Sequence, residues 1–416
     1  MTEITIKNVG PIKEISLSLN KINIFMGPQS SGKSTIAKII SHFTWLEKDL
    51  ITKPFSLDKN IIENILNFHQ WQGYFNEKSF ISYKGDVLYI EFSINQGIHI
   101  KNYNKFGYKR SKISYIPSQR NVIVLPDIKK LELGNTNLRS FLFDWYDART
   151  IYNKDNKLSL LNLGINYYYN KDIDQDYIQA NNNSEYNISL SNASSGLQSI
   201  IPLITLIEYI ANGVYNEENK SFELRQKEIA TNNLVYDAKV LKPYFGEKTI
   251  IKDEQERNKY REIINNKLSE GDSKVKEYYD EYLKVSNNLL KTQNTQLIIE
   301  EPEQNLFPTT QKELVYYLIN KCLNKQDNKL TITTHSPYIL YALNNCMLHY
   351  LVKDKIGKDD NINCPYINPS EVSVWEIKEG EIRNIQQEDN LIEDNYFDKS
   401  MKEIMNDFYN MINYYE

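Results

Sequence analysis

The chain opens on TEITIKNVGPIKEISLSLNKINIF, where apolar and polar residues alternate over three short runs. Alternation with a period of two predicts half-buried strands, and the last run, INIF, leads into a glycine-containing turn. Behind that turn the period changes. Ile36, Ile39, Ile40 and Phe43 recur at helical spacing and predict a helix beginning near Lys33. VLYIEFSI and IHIKNY supply further strand-like runs within residues 71–116, and LSNASSGLQSIIPLI reads as an apolar helix opened by small residues. Two later β-prone segments, TQLIIEEPE and LTITTHSP, are separated by one helix, which Thr310 and Glu313 would open as a capping box. The distance from the SSG helix to TQLIIEEPE far exceeds what one helix–strand connection needs. Residues 213–295 are therefore an insertion. In it Val275, Tyr278, Tyr279, Tyr282 and Leu289 mark an amphipathic helix. EVSVWEIKEGEIRNIQQED predicts a small hairpin, and Phe397, Met401, Met405, Phe408 and Ile412 a helix docked on the core. The pattern is that of an α/β protein without internal repeats. Its expected divisions are 1–212 and 296–352 as two parts of one head, 213–295 as a helical insertion, and 353–416 as a C-terminal hairpin and helix.

Composition narrows the classes. The 416 residues are 41% hydrophobic and 25% charged, with a net charge of −5, so the whole molecule is no bulk binder of nucleic acid. A local basic groove stays open. In KNYNKFGYKRSK, residues 101–112, Lys101, Lys105, Lys109, Arg110 and Lys112 alternate with Tyr103, Phe106 and Tyr108. That mix suits phosphate contacts and base stacking, although a twisted exposed hairpin has the same composition and is the first reading. Cys322, Cys346 and Cys364 are widely spaced and odd in number, which fits a reducing cytoplasm rather than a disulfide scaffold or a zinc site. No signal peptide is visible, and the longest apolar run, SIIPLITLIEYIANG, is too short for a bilayer and holds Glu208. The expectation is a cytoplasmic protein without a membrane partner.

The turn after INIF matches G-x-x-x-x-G-K-[ST] over Gly27, Pro28, Gln29, Ser30, Ser31, Gly32, Lys33 and Ser34, with Thr35 next. A strand before it and a helix after it are the context in which such a loop cradles a phosphate chain. Backbone N–H groups and the helix N-terminus face the anion. Lys33 would reach the β- and γ-phosphates of ATP, and Ser34 would ligate Mg²⁺. IIEEPEQNLFP then packs Glu300, Glu301 and Glu303 into four positions after a run of isoleucines. Mutual repulsion makes that costly unless a cation or a reaction compensates it. Glu300 would hold Mg²⁺, through water, and Glu301 would orient or deprotonate an attacking water. His335 closes a strand one helix later, where adjacent parallel strands would bring it toward the γ-phosphate. Ser194, Ser195 and Gly196 open their helix as a second anion site or, more simply, as a serine cap on a core helix.

Taken together, GPQSSGKST, YIPSQRN, LSNASSGLQS, IIEEPEQNLFP and TTHSPY, in this order across residues 22–338, resemble the ABC-type ATPase heads. More narrowly they resemble the prokaryotic AAA family ATPases related to the overcoming-lysogenisation-defect proteins, which act in anti-phage systems such as Septu and PARIS. The resemblance implies a P-loop ATPase head with a mixed sheet core, an antiparallel N-terminal lobe and a helical insertion. It implies that Ser194, Ser195 and Gly196 contact the γ-phosphate bound by a second protomer of a homodimer or higher homo-oligomer. His335 would be the switch histidine, and Gln119 or Arg120 would sense the nucleotide. Glu300 departs from the Asp usual in ABC ATPases. A separate effector, plausibly a nuclease, would be the partner. A DNA-clamping repair or chromosome-maintenance head and a transporter ATPase are the rival classes.

Overall fold

The computed structural model describes residues 2–52, 61–102, 105–182, 186–213, 222–251, 253–323, 327–357, 362–412 and 414–415. Tyr103 and part of the 213–295 insertion lie outside them. β1 (Thr2–Val9) and β2 (Ile12–Leu19) bury alternate residues and pair antiparallel, as their period-two pattern requires. β3 (Ile22–Met26) is buried throughout, and α1 (Lys33–Thr52) follows the P-loop. After α2 (Ile61–Phe68), β4 (Phe75–Lys84), β5 (Leu88–Ser93) and β6 (Gly97–Asn102) join the first two strands in an antiparallel lobe ordered β2-β1-β4-β5-β6. β7 (Ser111–Ile116) leaves the lobe for a second sheet.

Next come α3 (Asn137–Arg149) and a small antiparallel sheet of β8 (Leu158–Ser159), β9 (Ile165–Asn170), β10 (Gln175–Ala180) and β11 (Asn187–Ser189), which the sequence reading did not anticipate. α4 (Ser195–Glu208) carries the SSG segment. The insertion is helical: α5 (Phe222–Tyr236), α6 (Lys242–Phe245), α7 (Glu254–Ser269) and α8 (Ser273–Leu290). Tyr236, Val240, Leu241, Ile264 and Val275 form its own core, while Val285 and Leu289 on the same face of α8 reach the core of the lobe. α8, together with Val235 of α5, thus fastens the insertion to the head.

β12 (Asn294–Glu300), α9 (Pro308–Cys322), β13 (Lys329–Thr334) and α10 (Pro337–Val352) follow the insertion. β14 (Val372–Lys378), β15 (Glu381–Asn384) and α11 (Tyr396–Ile412) end the chain. The second sheet has the order β15-β14-β3-β13-β12-β7, parallel except for β15. Register places Glu300 beside Thr333, and Thr334 beside Met26. The carboxyl ends of β3, β12 and β13 therefore share one edge, where ligands of open parallel sheets bind.

Two expectations fail. α9 is not opened by a Thr310–Glu313 capping box. Its N-cap is Phe307 and Pro308 holds the first turn, because proline's fixed φ and missing N–H suit that position. The predicted hairpin forms, with β14 pairing parallel to the P-loop strand β3 in the second sheet. Finally, α11 does not dock. None of its residues is buried, and Met401, Ile404, Phe408 and Met411 are each more than half exposed. Only Tyr396 and Phe397 in its first turn pack on the main core.

Candidate nucleotide site

The P-loop backbone depends on glycine at two places. Gly27 has φ +146°, and a Cβ there would lie 2.2 Å from Ile377 O on β14. Gly32 has φ +109° directly before α1. Ser30 also takes a left-handed φ of 59°. Lys33 folds back over its own loop, donating to Pro28 O at 2.6 Å, Gly27 O at 3.0 Å and Ser31 Oγ at 3.3 Å. Burial lowers its pKa to about 8, against the raising effect of Glu301 and then Glu303. An open pocket of about 560 Å³ lies here, lined by Gln29, Ser30, Ser31, Gly32, Lys33, Ser34 and Thr35 together with Pro11, Tyr74, Glu301 and His335. Three segments far apart in the sequence therefore meet at this pocket. Pro11 and Tyr74 at its mouth carry no sequence signal.

The three carboxylates have three environments. Glu300 ends β12 and is buried; its Oε2 accepts from Ser118 N at 3.3 Å, and the buried Tyr115 hydroxyl lies beside its carboxylate. Glu301 leaves the strand with φ 44° and donates its N–H to Thr333 O at 2.9 Å. That left-handed turn swings its carboxylate into the pocket, 3.4 Å from His335 Nε2. The His335 hydrogen bond holds the Glu301 pKa below the usual carboxylate range, opposed by burial and assisted by Lys33 and Arg120. Glu303 is the participant that sequence reasoning left without a role. Its Oε1 accepts from His335 N at 2.6 Å and from Thr334 Oγ1 at 2.8 Å, so it fixes the backbone that carries the histidine. Burial raises its pKa.

Gln119 and Arg120 differ in exposure, and neither lines the pocket. Arg120 has no exposed surface, and its donors are spent on backbone carbonyls, including Glu300 O at 2.9 Å and Glu301 O at 2.8 Å. It cannot reach a nucleotide. Gln119 is exposed in the same turn. Ser194 is the N-cap of α4 without a side-chain cap bond, which removes the plain serine-cap reading, and Ser195 begins the helix. Both serines are exposed, and neither they nor Gly196 line the pocket of their own chain.

The basic segment is largely structural. Tyr108 is 1% exposed; Lys112 pairs with Asp144 at 2.7 Å, Lys109 with Asp327 at 2.5 Å and Arg110 with Glu228 at 3.5 Å. Those charges tie the strand entering the head sheet to α3, α5 and the turn before β13, which removes most of the sequence support for a nucleic-acid groove.

No metal ion is part of the structure, and among the described residues no group of three or more His, Cys, Asp or Glu is placed to hold one. Magnesium does not require such a cage, since it keeps waters and takes one or two protein oxygens beside substrate phosphates. The Ser34 hydroxyl at the pocket fits that role; Glu300, buried at the end of β12, is not part of the lining and would act through water. No described helix is long and apolar enough to cross a membrane.

No protein-family model matches the chain, and no curated protein does. Similar solved structures include the SMC head domain from Thermotoga maritima, at 9% identity over 93% of this chain and 98% of that one, with a TM-score of 0.36. The recombination mediator protein RecF–ATPrS of the RecFOR pathway is similar at 14% identity over 92% and 97%, TM-score 0.28. A dimeric bacterial ABC transporter cassette is similar at 12% identity over 92% and 99%, TM-score 0.28.

Proposed function

We propose that this chain is an ATPase that hydrolyses ATP to ADP and phosphate. One observation carries the reading: the Glu301 carboxylate faces a P-loop pocket that also holds Lys33 and His335, with His335 Nε2 3.4 Å away. Lys33 exchanges its loop carbonyls for the β- and γ-phosphate oxygens, and the N-terminus of α1 adds N–H groups and a positive dipole. Ser34, and Glu300 through water, would hold Mg²⁺, which would neutralise charge developing on the phosphates. Glu301, kept ionised, accepts the proton of the water that attacks the γ-phosphorus as the bond to the ADP oxygen breaks. His335 donates a hydrogen bond to the γ-phosphate and is held in place by Glu303 from behind. Equilibrium ATP binding and phosphate release by the purified chain, compared with Glu301→Gln, test this. Wild-type turnover in that variant would remove Glu301 from the chemistry.

Ser194 and Ser195 stand exposed and, with Gly196, away from their own pocket, which supports a composite site closed by the signature segment of a second protomer. We further propose, on the five-motif resemblance, that ATP-driven pairing of heads in the cytoplasm controls a separate effector in anti-phage defence. Plaque counts on cells carrying the gene with its neighbours, wild type against Lys33→Ala, test that role; equal protection from both would remove it.

A further inference from the structure

Arg120 belongs to the 3₁₀ turn Ser118–Val124, which follows β7, and its guanidinium is an unusual buried cation. Each of its recorded partners is a backbone carbonyl. Nη1 donates to Glu300 O at 2.9 Å and, at the long limit, to Pro117 O at 3.5 Å; Nη2 donates to Glu301 O at 2.8 Å and Pro302 O at 3.2 Å. The remaining donor, Nε, reaches Ser199 O on α4 at 3.2 Å. One planar side chain therefore spans two segments, the loop that presents Glu301 and the first turns of the helix that presents Ser194–Gly196. A second contact joins the same two segments. A Cβ on Gly196 would lie 2.7 Å from Asn305 O, so the N-terminus of α4 abuts the far end of the carboxylate loop. Withdrawing a full charge from water is expensive, and carbonyl dipoles must offset that cost. Sliding either segment would strand the guanidinium, so the arrangement resists relative motion.

We propose that Arg120 is a positioning residue that makes the α4 N-terminus and the Glu301 loop one rigid body, so that seating Ser194–Gly196 on a neighbour's nucleotide sets the Glu301 carboxylate of the same chain. This rests on the composite-site reading above. It adds that the two sites of a pair are coupled through each chain, because α4 serves the neighbour's nucleotide while Glu301 serves its own. Coupling of this kind needs a physical element that both sites bias, and the Arg120 brace is that element.

The test uses the full chain and ATP with magnesium. Arg120→Lys keeps the charge but replaces a fork of donors with a point. It should leave ATP binding and ATP-driven association close to wild type. It should lower kcat by about 100-fold, the scale on which small misplacements of a catalytic group act, and bring the Hill coefficient for ATP down to about 1. Asn305→Gly loosens the loop end that abuts α4 without disturbing the buried charge, at a left-handed position that glycine accepts, and it decides the matter if the lysine variant does not fold. It should lower kcat and cooperativity while ATP-driven association persists. Wild-type kcat and cooperativity in a folded Arg120→Lys chain would overturn the inference. If that chain does not fold, wild-type kcat in Asn305→Gly, or loss of its association, would do so. A wild-type chain that neither hydrolyses ATP nor associates with it would instead overturn the functional reading on which this rests.

Discussion

Lys33 and Arg120 are both buried cations wrapped in backbone carbonyls, yet they stand in opposite relations to the pocket. Lys33 takes its partners from the loop it closes, Gly27 O, Pro28 O and Ser31 Oγ, and faces an open pocket. Arg120 takes Ser199, Glu300, Glu301 and Pro302 from segments far along the chain and faces no solvent at all. Burial lowers both pKa values, to about 8 for the lysine and about 10 for the arginine. The ammonium is a compact charge on a flexible stem, so a phosphate can replace its carbonyls. The guanidinium is a rigid fork whose carbonyls fix its plane. One cation is arranged to exchange partners and the other to keep them.

The largest expected effect breaks the exchanging side. Lys33→Ala should abolish measurable ATP binding, because the phosphates lose the cation of the loop. Labelled-nucleotide binding checks it, and wild-type affinity would remove the P-loop assignment. Next in size is Glu301→Gln, which should bind ATP normally and lose about 100- to 10,000-fold in turnover. Single-turnover phosphate release is the measurement. If the rate persists, Glu300 becomes the candidate base, and Arg120 braces a loop without catalytic content.

These two predictions were already legible in the sequence, and the reason is local. Loop spacing, a strand before it and a helix after it identify Lys33 without tertiary information, and a carboxylate cluster closing an apolar strand identifies Glu300 and Glu301. Arg120 and Glu303 were not legible in the same way. Apart from Thr334 Oγ1, their partners are backbone carbonyls and N–H groups brought together only when β7, β12, β13 and α4 converge, and such partners leave no residue-type signature. The four-stranded β8–β11 sheet was missed although YYY and its neighbours are β-prone; it lies between the segments that carried recognisable chemistry. Helical periodicity announced α11 but not its exposure, because an apolar stripe states that something covers a face and not what does.

Glu303 sharpens the keeping side. Its Oε1 holds His335 N and Thr334 Oγ1. Glu303→Ala would leave that half-buried N–H without its acceptor and should cost about 1 kcal/mol of stability. Thermal or denaturant unfolding measures this. The variant should also slow turnover while ATP affinity holds, because Lys33 and its loop are untouched. Unchanged stability would show that water replaces the carboxylate and that the histidine needs no such anchor.

The smallest effect separates the two cations by pH. In the free chain Lys33 has a pKa lowered to about 8, whereas bound phosphates would hold it protonated. Binding ATP above that value therefore requires the lysine to take up a proton first. The sign follows: this group leaves affinity independent of pH below about 8 and weakens it as pH rises, approaching about tenfold per unit. Arg120 contributes nothing to the slope, because its carbonyl partners stay in place whether or not nucleotide is present. ATP dissociation constants measured from about pH 7 to 9 should bend near 8 in the wild type and run flat in Lys33→Arg, whose guanidinium stays charged throughout. Calorimetry at about pH 9 in buffers of different ionisation enthalpy should register the proton taken up. A flat wild-type profile, or the same bend in Lys33→Arg, would mean that Lys33 already carries its full charge in the empty loop. Its burial under Gly27 and Pro28 would then not be what makes it exchangeable.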